Sequence, residues 1–539
     1  MKLLKTCLFP MLLAVTALAA APPKLVVVVS VDQLSAELME RWGKTLPGGL
    51  GRLYREGATF TAAYQDHGFT ETGPGHSVIL TGRAPMHTGI VENKWLDRAT
   101  GQWLYCVTEP QGQLLGTRDT SRNAGPRNLQ GDTLGAWLQA QIPGSRVFAV
   151  TGKDRSAILM AGHHAQGVYW FAEGLGYTSS TAYTQTLPGW LQAYNAGFLA
   201  GAAKGSVVWT PLDGQGQSLG GTYQIRNAPF TAGLPRTLAS AGGPRNAAFW
   251  DHFKESPFLD QSIFGAAKAL EDGEKLGQGP GVDLLALGLS ATDYVGHGFG
   301  NGGPEMYDQL RRLDLALGQY LERLRAKVPG VWVILTADHG SGDFPERLEA
   351  KGIPAKRLNG AQWLAALNAA LTKRLGGTAA FFLPNAGSHQ FYLDPAVLRA
   401  SGKSRAEVLK AAAEVAKASP EVAEACTGPE LDATLVDPAQ APDRRDYKAL
   451  LRLSYVAGRS GDLLLAFKPQ YTVDDVNHAM SHGHPQDRDR RVPLIFWGPW
   501  KAQLRPEPVR ITDLAPTLAR ELGLTPAEPV DGVALSLPR

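Results

Sequence analysis

The chain has 539 residues, more than one hydrophobic core usually spans, so two domains or one heavily decorated domain is expected. Hydrophobic residues make up 44% and charged ones 19%, as in an ordinary soluble globular protein, and the 61 Gly and 36 Pro follow no period, which excludes a fibre. A formal net charge of +3 makes no electrostatic case for nucleic acid or for stable membrane association.

Residues 1–21 read as a signal peptide: a short basic start with Lys2 and Lys5, an apolar run Leu8–Leu18, then small residues Ala19-Ala20-Ala21. The apolar run falls short of the ~20 residues of a spanning helix, so an exported, periplasmic or secreted protein is expected. Loss of Lys2 and Lys5 brings the 53 basic residues almost level with the 50 acidic ones. Of the three cysteines, Cys106 and Cys426 remain after cleavage; a disulfide and two buried free thiols are both open.

Along the rest of the chain, apolar β-branched runs end in polar clusters. Leu25–Val31 ends at Asp32, Arg146–Thr151 at Lys153-Asp-Arg155, Leu284–Ala291 near Asp293, and Val331–Ala337 at Asp338-His339. Arg491–Trp497 is a further core strand. Near-continuous apolar runs are the mark of parallel strands covered on both faces. Between them lies a helix with Leu310, Leu313, Leu317, Leu321 and Leu324 on one face. Strand–helix alternation predicts an α/β fold with a doubly wound, mostly parallel central sheet flanked by helices, whose ligands sit at the strands' carboxyl ends. Two segments, about 166–254 and about 346–459, carry little of this pattern and read as cap insertions on a core of about 22–165, 255–345 and 460–539.

The polar clusters have the composition of metal ligands. Asp293 and His297 lie four residues apart, Asp338 and His339 are adjacent, and Asp32 and the His482-Gly-His484 segment add more. Carboxylate with imidazole and no thiolate suits Zn²⁺ or a similar divalent ion, and three of each is enough for two adjacent metals. Taken alone, each such residue is more often a turn or a cap. Two-metal sites clamp the attacking and leaving oxygens of an in-line displacement at phosphorus.

The segment Gly68-Phe-Thr-Glu-Thr-Gly-Pro-Gly-His-Ser77 supplies a nucleophile for such a displacement. Gly73 and Pro74 turn the chain sharply and put Thr72 at a helix N-terminus, where free N–H groups favour an alkoxide and a phosphate. Thr72 as a simple N-cap, or Thr70 as the nucleophile instead, are the other readings.

These motifs resemble the alkaline phosphatase superfamily, and within it the phosphate-irrepressible alkaline phosphatases with a threonine nucleophile. The resemblance runs through Ser30-Val-Asp-Gln33, Thr72-Gly-Pro-Gly-His76, Asn93, Lys153-Asp-Arg155, Ser290–His297, Thr336-Ala-Asp-His-Gly340, His482-Gly and Ile511–Pro516, in the family's order. It implies two Zn²⁺ per chain, one held by Asp293, His297 and His482, the other by Asp32, Asp338, His339 and Thr72. His484 stands as the alternative to His482. Gly73, Asn93, Lys153 and Arg155 would bind the phosphoryl group, with Lys153 where other members bind magnesium, so no third metal is expected. The implied activity is hydrolysis of small-molecule phosphate monoesters through a phosphothreonine. A phosphodiesterase or phosphonate monoesterase of the same superfamily and a non-catalytic phosphate-binding protein are the rivals. Sulfatase is disfavoured because neither cysteine lies in a Cys-x-Pro-Ser-Arg context.

Overall fold

The computed structural model describes residues 22–202, 207–213, 218–238, 246–385, 389–473 and 478–539. The expected signal peptide, residues 1–21, lies outside the described residues. Among them, no helix is long and apolar enough to cross a membrane.

A ten-stranded sheet organises the chain. Its strands are β1 (Leu25–Val31), β2 (Ala58–Tyr64), β3 (Arg146–Thr151), β4 (Gly167–Ala172), β5 (Gly176–Thr178), β6 (Asp283–Leu289), β7 (Trp332–Thr336), β8 (Arg491–Trp497), β9 (Gln503–Arg505) and β10 (Val509–Arg510). The order is β9-β2-β8-β7-β1-β6-β3-β4-β5, with β10 also on β2. The runs that the sequence marks as buried strands form the centre: Val26 to Val29 in β1 are wholly inaccessible, and β6 and β7 are buried throughout. β1 pairs in parallel with β6 and β7, and β6 with β3, so their carboxyl ends share one edge.

Two strands run the other way. β5 returns on β4 through a tight turn, and β8 is antiparallel to both β7 and β2. The Arg491–Trp497 run therefore starts, and does not end, at the carboxyl edge. The chain reaches it from the loop carrying His482 through the short helix Asp487–Arg490.

Helices cover the sheet. Those that matter to the site are α1 (Thr72–Thr81), α2 (Asp154–Ala161), α3 (Ala291–Phe299) and α4 (Pro304–Lys327). α1 packs on α2, while Leu310, Leu313, Leu317, Leu321 and Leu324 of α4 are buried as their spacing predicts. The segment read as the second insertion builds a separate three-stranded antiparallel sheet of Gln390–Phe391, Leu463–Phe467 and Val422–Thr427, backed by helices Gly360–Leu375 and Arg405–Lys417 over its own apolar cluster. Leu463–Phe467, counted with the core from sequence, is the central strand of this sheet. Conversely, β4 and β5, counted with the first insertion, complete one flank of the main sheet.

Candidate active site

Each parallel strand delivers its polar group to the same edge. Asp32 follows β1 directly; Asp293 and His297 lie one turn apart on α3, just past β6; Asp338 and His339 lie just past β7. Lys153 caps α2 after β3, and Arg155 is in that helix's first turn. β2 ends at Tyr64, and a short buried loop leads to Thr72, the first residue of α1.

Two groups of side chains, Asp293 with His339 and His482, and Asp32 with Asp338 and His339, each bring their ligand atoms within 4.8 Å of one another. His297 reaches the first: its Nε2 lies 3.5 Å from Asp293 Oδ1, and His482 Nε2 lies 3.4 Å from the same oxygen. His484 is turned away, with Nδ1 3.1 Å from His389 Nε2. His478 stacks on His297 at 4.6 Å between ring centroids.

The residues fit a metal on the chemistry of their donors. Nδ1 of His297, His339 and His482 lies 2.8, 3.0 and 2.8 Å from the carbonyls of Met480, Gly340 and Thr70. A carbonyl only accepts, so Nδ1 carries a proton in each, and in the neutral ring Nε2 is the ligating lone pair; for His482, burial is outweighed by the hydrogen bond and charge of Asp293, which raise its pKa. Orientation of a ligand histidine by a backbone acceptor is the usual support for metal binding. Burial holds His297 and His339 neutral, lowering them to about 4 and about 3, and neutral imidazole is the ligating form. Asp32 Oδ1 and His339 Nε2 are buried without a hydrogen-bond partner. Burial, and then the charge of Asp338, pushes the Asp32 carboxyl up, against the opposing pull of Lys153.

Thr72 is linked to these groups through Lys153. Its Oγ1 accepts from Lys153 Nζ at 3.4 Å and Arg155 Nη2 at 3.2 Å. Thr70 Oγ1 instead donates to the His484 carbonyl at 2.8 Å, inside the protein. The Lys153 ammonium is also 2.8 Å from Asp32 Oδ2 and 2.5 Å from Asp293 Oδ2. Burial opposes that charge, but Asp293 and Asp32 outweigh it and raise the ammonium's pKa. Asn93 Oδ1 accepts from Gly73 N at 2.7 Å, which leaves Nδ2 as its donor for a ligand. His76 lies under the turn, with Nδ1 3.0 Å from the Thr72 carbonyl and 3.1 Å from Asp338 Oδ2. Cys106 and Cys426 are both buried and unpaired.

Gly75 explains the glycine beside the nucleophile. A Cβ there would lie 2.1 Å from the Asp338 carbonyl oxygen, backbone that cannot swing aside. Gly75→Ala is expected to cost about 1–3 kcal/mol of stability. It should also lower kcat/KM steeply, because Thr72 and Asp338 cannot both keep their places. Thermal melts and steady-state rates on the purified variant check this, and parental values of both would contradict it.

Several positioning residues carry no sequence signal. Gln33, at φ 68°, donates its N–H to Asp338 Oδ1 and its Nε2–H to Asp293 Oδ1, both at 3.1 Å. Glu71 Oε2 accepts from Asn93 N at 2.6 Å, and the Tyr294 ring lies 4.9 Å from Lys153 Nζ. Tyr105 and Asp154 brace Arg155. Of these, Gln33, Glu71, Asp154 and Tyr294 lie inside the quoted motifs, yet only contacts reveal their roles.

A doubly wound sheet with carboxylates and imidazoles grouped as candidate metal ligands at its carboxyl edge, beside a helix-terminal threonine, defines an α/β protein of the alkaline phosphatase superfamily. Within it, the chain belongs to the type I phosphodiesterase / nucleotide pyrophosphatase family, whose model matches residues 26–485. It is 36% identical over 531 residues to alkaline phosphatase PhoK of Sphingomonas sp, covering 96% of this chain and 92% of that protein. Alkaline phosphatase PafA of Elizabethkingia meningoseptica is 29% identical over 523 residues, covering 93% and 92%. The crystal structure of wild type PafA superposes with a TM-score of 0.82 at 27% identity, covering 96% of this chain and 99% of that one. Murine ectonucleotide pyrophosphatase / phosphodiesterase 5 shares the fold, with a TM-score of 0.52 at 14% identity.

Proposed function

We propose that the protein is an exported alkaline phosphatase that hydrolyses small-molecule phosphate monoesters through a phosphothreonine at Thr72. The observation that carries the reading is the Thr72 hydroxyl at a buried helix N-terminus, touched by Arg155 and by Lys153, which also pairs with Asp32 and Asp293 of the two ligand groups. Asp293, His297 and His482 would hold one divalent cation, and Asp32, Asp338, His339 and Thr72 the other. Zinc suits these oxygen and nitrogen donors. Two such ions, when bound, withdraw charge from phosphoryl oxygens and lower the pKa of a neighbouring hydroxyl or water. No third, magnesium site is needed, because the Lys153 ammonium already places a positive charge beside Asp32 and Asp293.

Thr72 Oγ loses its proton and attacks phosphorus. The bond to the ester oxygen breaks, and the alcohol leaves with that electron pair and takes up a proton. Water then attacks the phosphothreonine, releasing inorganic phosphate and restoring the hydroxyl. Asn93 Nδ2 and Arg155 receive the non-bridging oxygens, whereas the Gly73 N–H, expected from the resemblance to share in this, is given to Asn93 Oδ1, Pro74 has none, and the Gly75 N–H bonds the Glu71 carbonyl. The insertions at about 166–254 and 346–459 wall the cleft and select the alcohol. Export rests on the sequence of residues 1–21.

A monoester has one more negative charge on its non-bridging oxygens than a diester. Charge-assisted hydrogen bonds there are worth about 1.5–3 kcal/mol each, so Arg155→Ala should cost about tenfold to a hundredfold in monoester kcat/KM and little for a matched diester. Lys153 is the less clean probe, because its contacts with Asp32 and Asp293 tie it to metal content. The family model's description gives the diesterase reading its support. Equal losses on both substrates, or a faster parental rate on the diester, would move that reading to first place.

A further inference from the structure

Of the two cations at Thr72, only one keeps its charge unspent. Lys153 is paired with two carboxylates, at 2.8 and 2.5 Å. Arg155 hydrogen-bonds two uncharged hydroxyls: Nη2 donates to Thr72 Oγ1 at 3.2 Å, and Nη1 donates to Tyr105 Oη at 3.2 Å. The phenol has a single proton, and it goes to Asp154 Oδ1 at 2.6 Å, which turns an oxygen lone pair to the guanidinium. Asp154 Oδ1 also accepts from the Arg155 backbone N–H at 2.7 Å. Asp154 thus fixes both the backbone of Arg155 and the phenol that aims its side chain. The guanidinium is oriented without being neutralised by a direct carboxylate contact.

Tyr105 owes its place to a hairpin of Lys94–Asp97 and Gln102–Tyr105, in which Lys94 pairs with Tyr105. The same hairpin begins at Asn93, whose carbonyl accepts from Cys106 N at 2.9 Å. The open end of one short ribbon therefore carries both Asn93 and, on the paired strand, the brace for Arg155. It is itself held against the insertion by Arg98, which pairs with Asp462 at 3.1 Å, and by Trp103 packed edge-on to Tyr392 at 5.5 Å.

We infer that Tyr105 is a positioning residue for monoester selectivity, holding the un-neutralised Arg155 guanidinium against the dianionic phosphoryl group. This rests on the monoesterase reading above and adds the group that enforces it. A phenol does this without cancelling the charge, whereas a carboxylate in direct contact would reduce the advantage of a dianion over a monoanion.

The test is a double-mutant cycle on the full chain with its metals, read as kcat/KM on a matched aryl phosphate monoester and diester. Tyr105→Phe keeps the ring and removes the oxygen. It should lower monoester kcat/KM about tenfold and leave the diester nearly unchanged, with parental zinc content and melting temperature. Arg155→Ala should lower the monoester further, and the double variant should be no worse than Arg155→Ala alone, since Tyr105 acts through Arg155. Asp154→Ala probes the same brace from its other end and should narrow the monoester-to-diester ratio in the same direction. Losses from Tyr105 and Arg155 that multiply, or an equal loss on both esters with Tyr105→Phe, would overturn the inference while leaving the monoesterase reading intact. If Arg155→Ala itself leaves the ratio unchanged, the monoesterase reading fails and the inference falls with it.

Discussion

Thr72→Ala is expected to reduce kcat on a phosphate monoester by at least about a thousandfold, a loss of ~4 kcal/mol in transition-state stabilisation. The physical case is local. Thr72 is 1% exposed, opens α1, and has its oxygen within 3.4 Å of two cationic side chains. A residue serving only as a helix cap would be worth about 1 kcal/mol of stability and nothing in chemistry. The structure already weighs against that role: Glu71 occupies the cap position, and Thr72 Oγ1 receives hydrogen bonds from side chains rather than from its own helix. Thr72→Ser keeps the hydroxyl and should retain most of the activity that alanine loses. Acid quench during turnover of a radiolabelled ester should leave phosphate on the peptide containing Thr72, and Thr72→Ala should abolish that label. A Thr72→Ala enzyme with near-parental kcat would return Thr72 to the status of a structural residue.

The second large effect concerns the metals. Elemental analysis should give about two zinc ions per chain, chelation should abolish turnover, and zinc should restore it. Binding should also raise the melting temperature, because cations that bind only the folded site stabilise it and relieve the repulsion among Asp32, Asp293 and Asp338. Individual ligands should differ. His339 Nε2 lies 3.5 Å from Asp32, 3.4 Å from Asp338 and 4.0 Å from Asp293, and belongs to both groups. Of these three carboxylates, His297 approaches Asp293. With Nδ1 protonated, His339 has one lone pair to give, so His339→Ala should cost the ion held with Asp32 and Asp338 and His297→Ala the one held with Asp293 and His482, measured as zinc per chain on folded protein. Full activity in a metal-free sample, or parental zinc in His339→Ala, would contradict the account.

What could be read from sequence follows from range. Asp32, Asp293, Asp338 and His339 were legible because each stands within a few residues of the end of an apolar run, and parallel strands bring such ends to one edge. Thr72 was legible because Gly-Pro-Gly marks a sharp entry to a helix. Choosing His482 over His484 needed the resemblance; the structure supplies the reason, since Thr70 orients one ring toward Asp293 and His389 draws the other away. Tyr105 could not be found this way. Its partners Asp154 and Arg155 lie 49 and 50 residues on, and nothing in the local pattern of the hairpin records them. Strand direction was equally hidden, because a buried antiparallel strand such as β8 has the same apolar run as a parallel one. Leu463–Phe467 was misallocated for the same reason: burial reads alike in either sheet.

The central claim is that phosphorus passes through Thr72 before it reaches water. Hydrolysis of a phosphorothioate monoester made chiral at phosphorus with two oxygen isotopes, in water carrying the third, tests it most directly, read on the thiophosphate released. Two in-line displacements, one by Thr72 and one by water, each invert, so the account predicts net retention of configuration in that thiophosphate. Net inversion would mean that water attacks the ester in a single step, and that Thr72 is not the nucleophile.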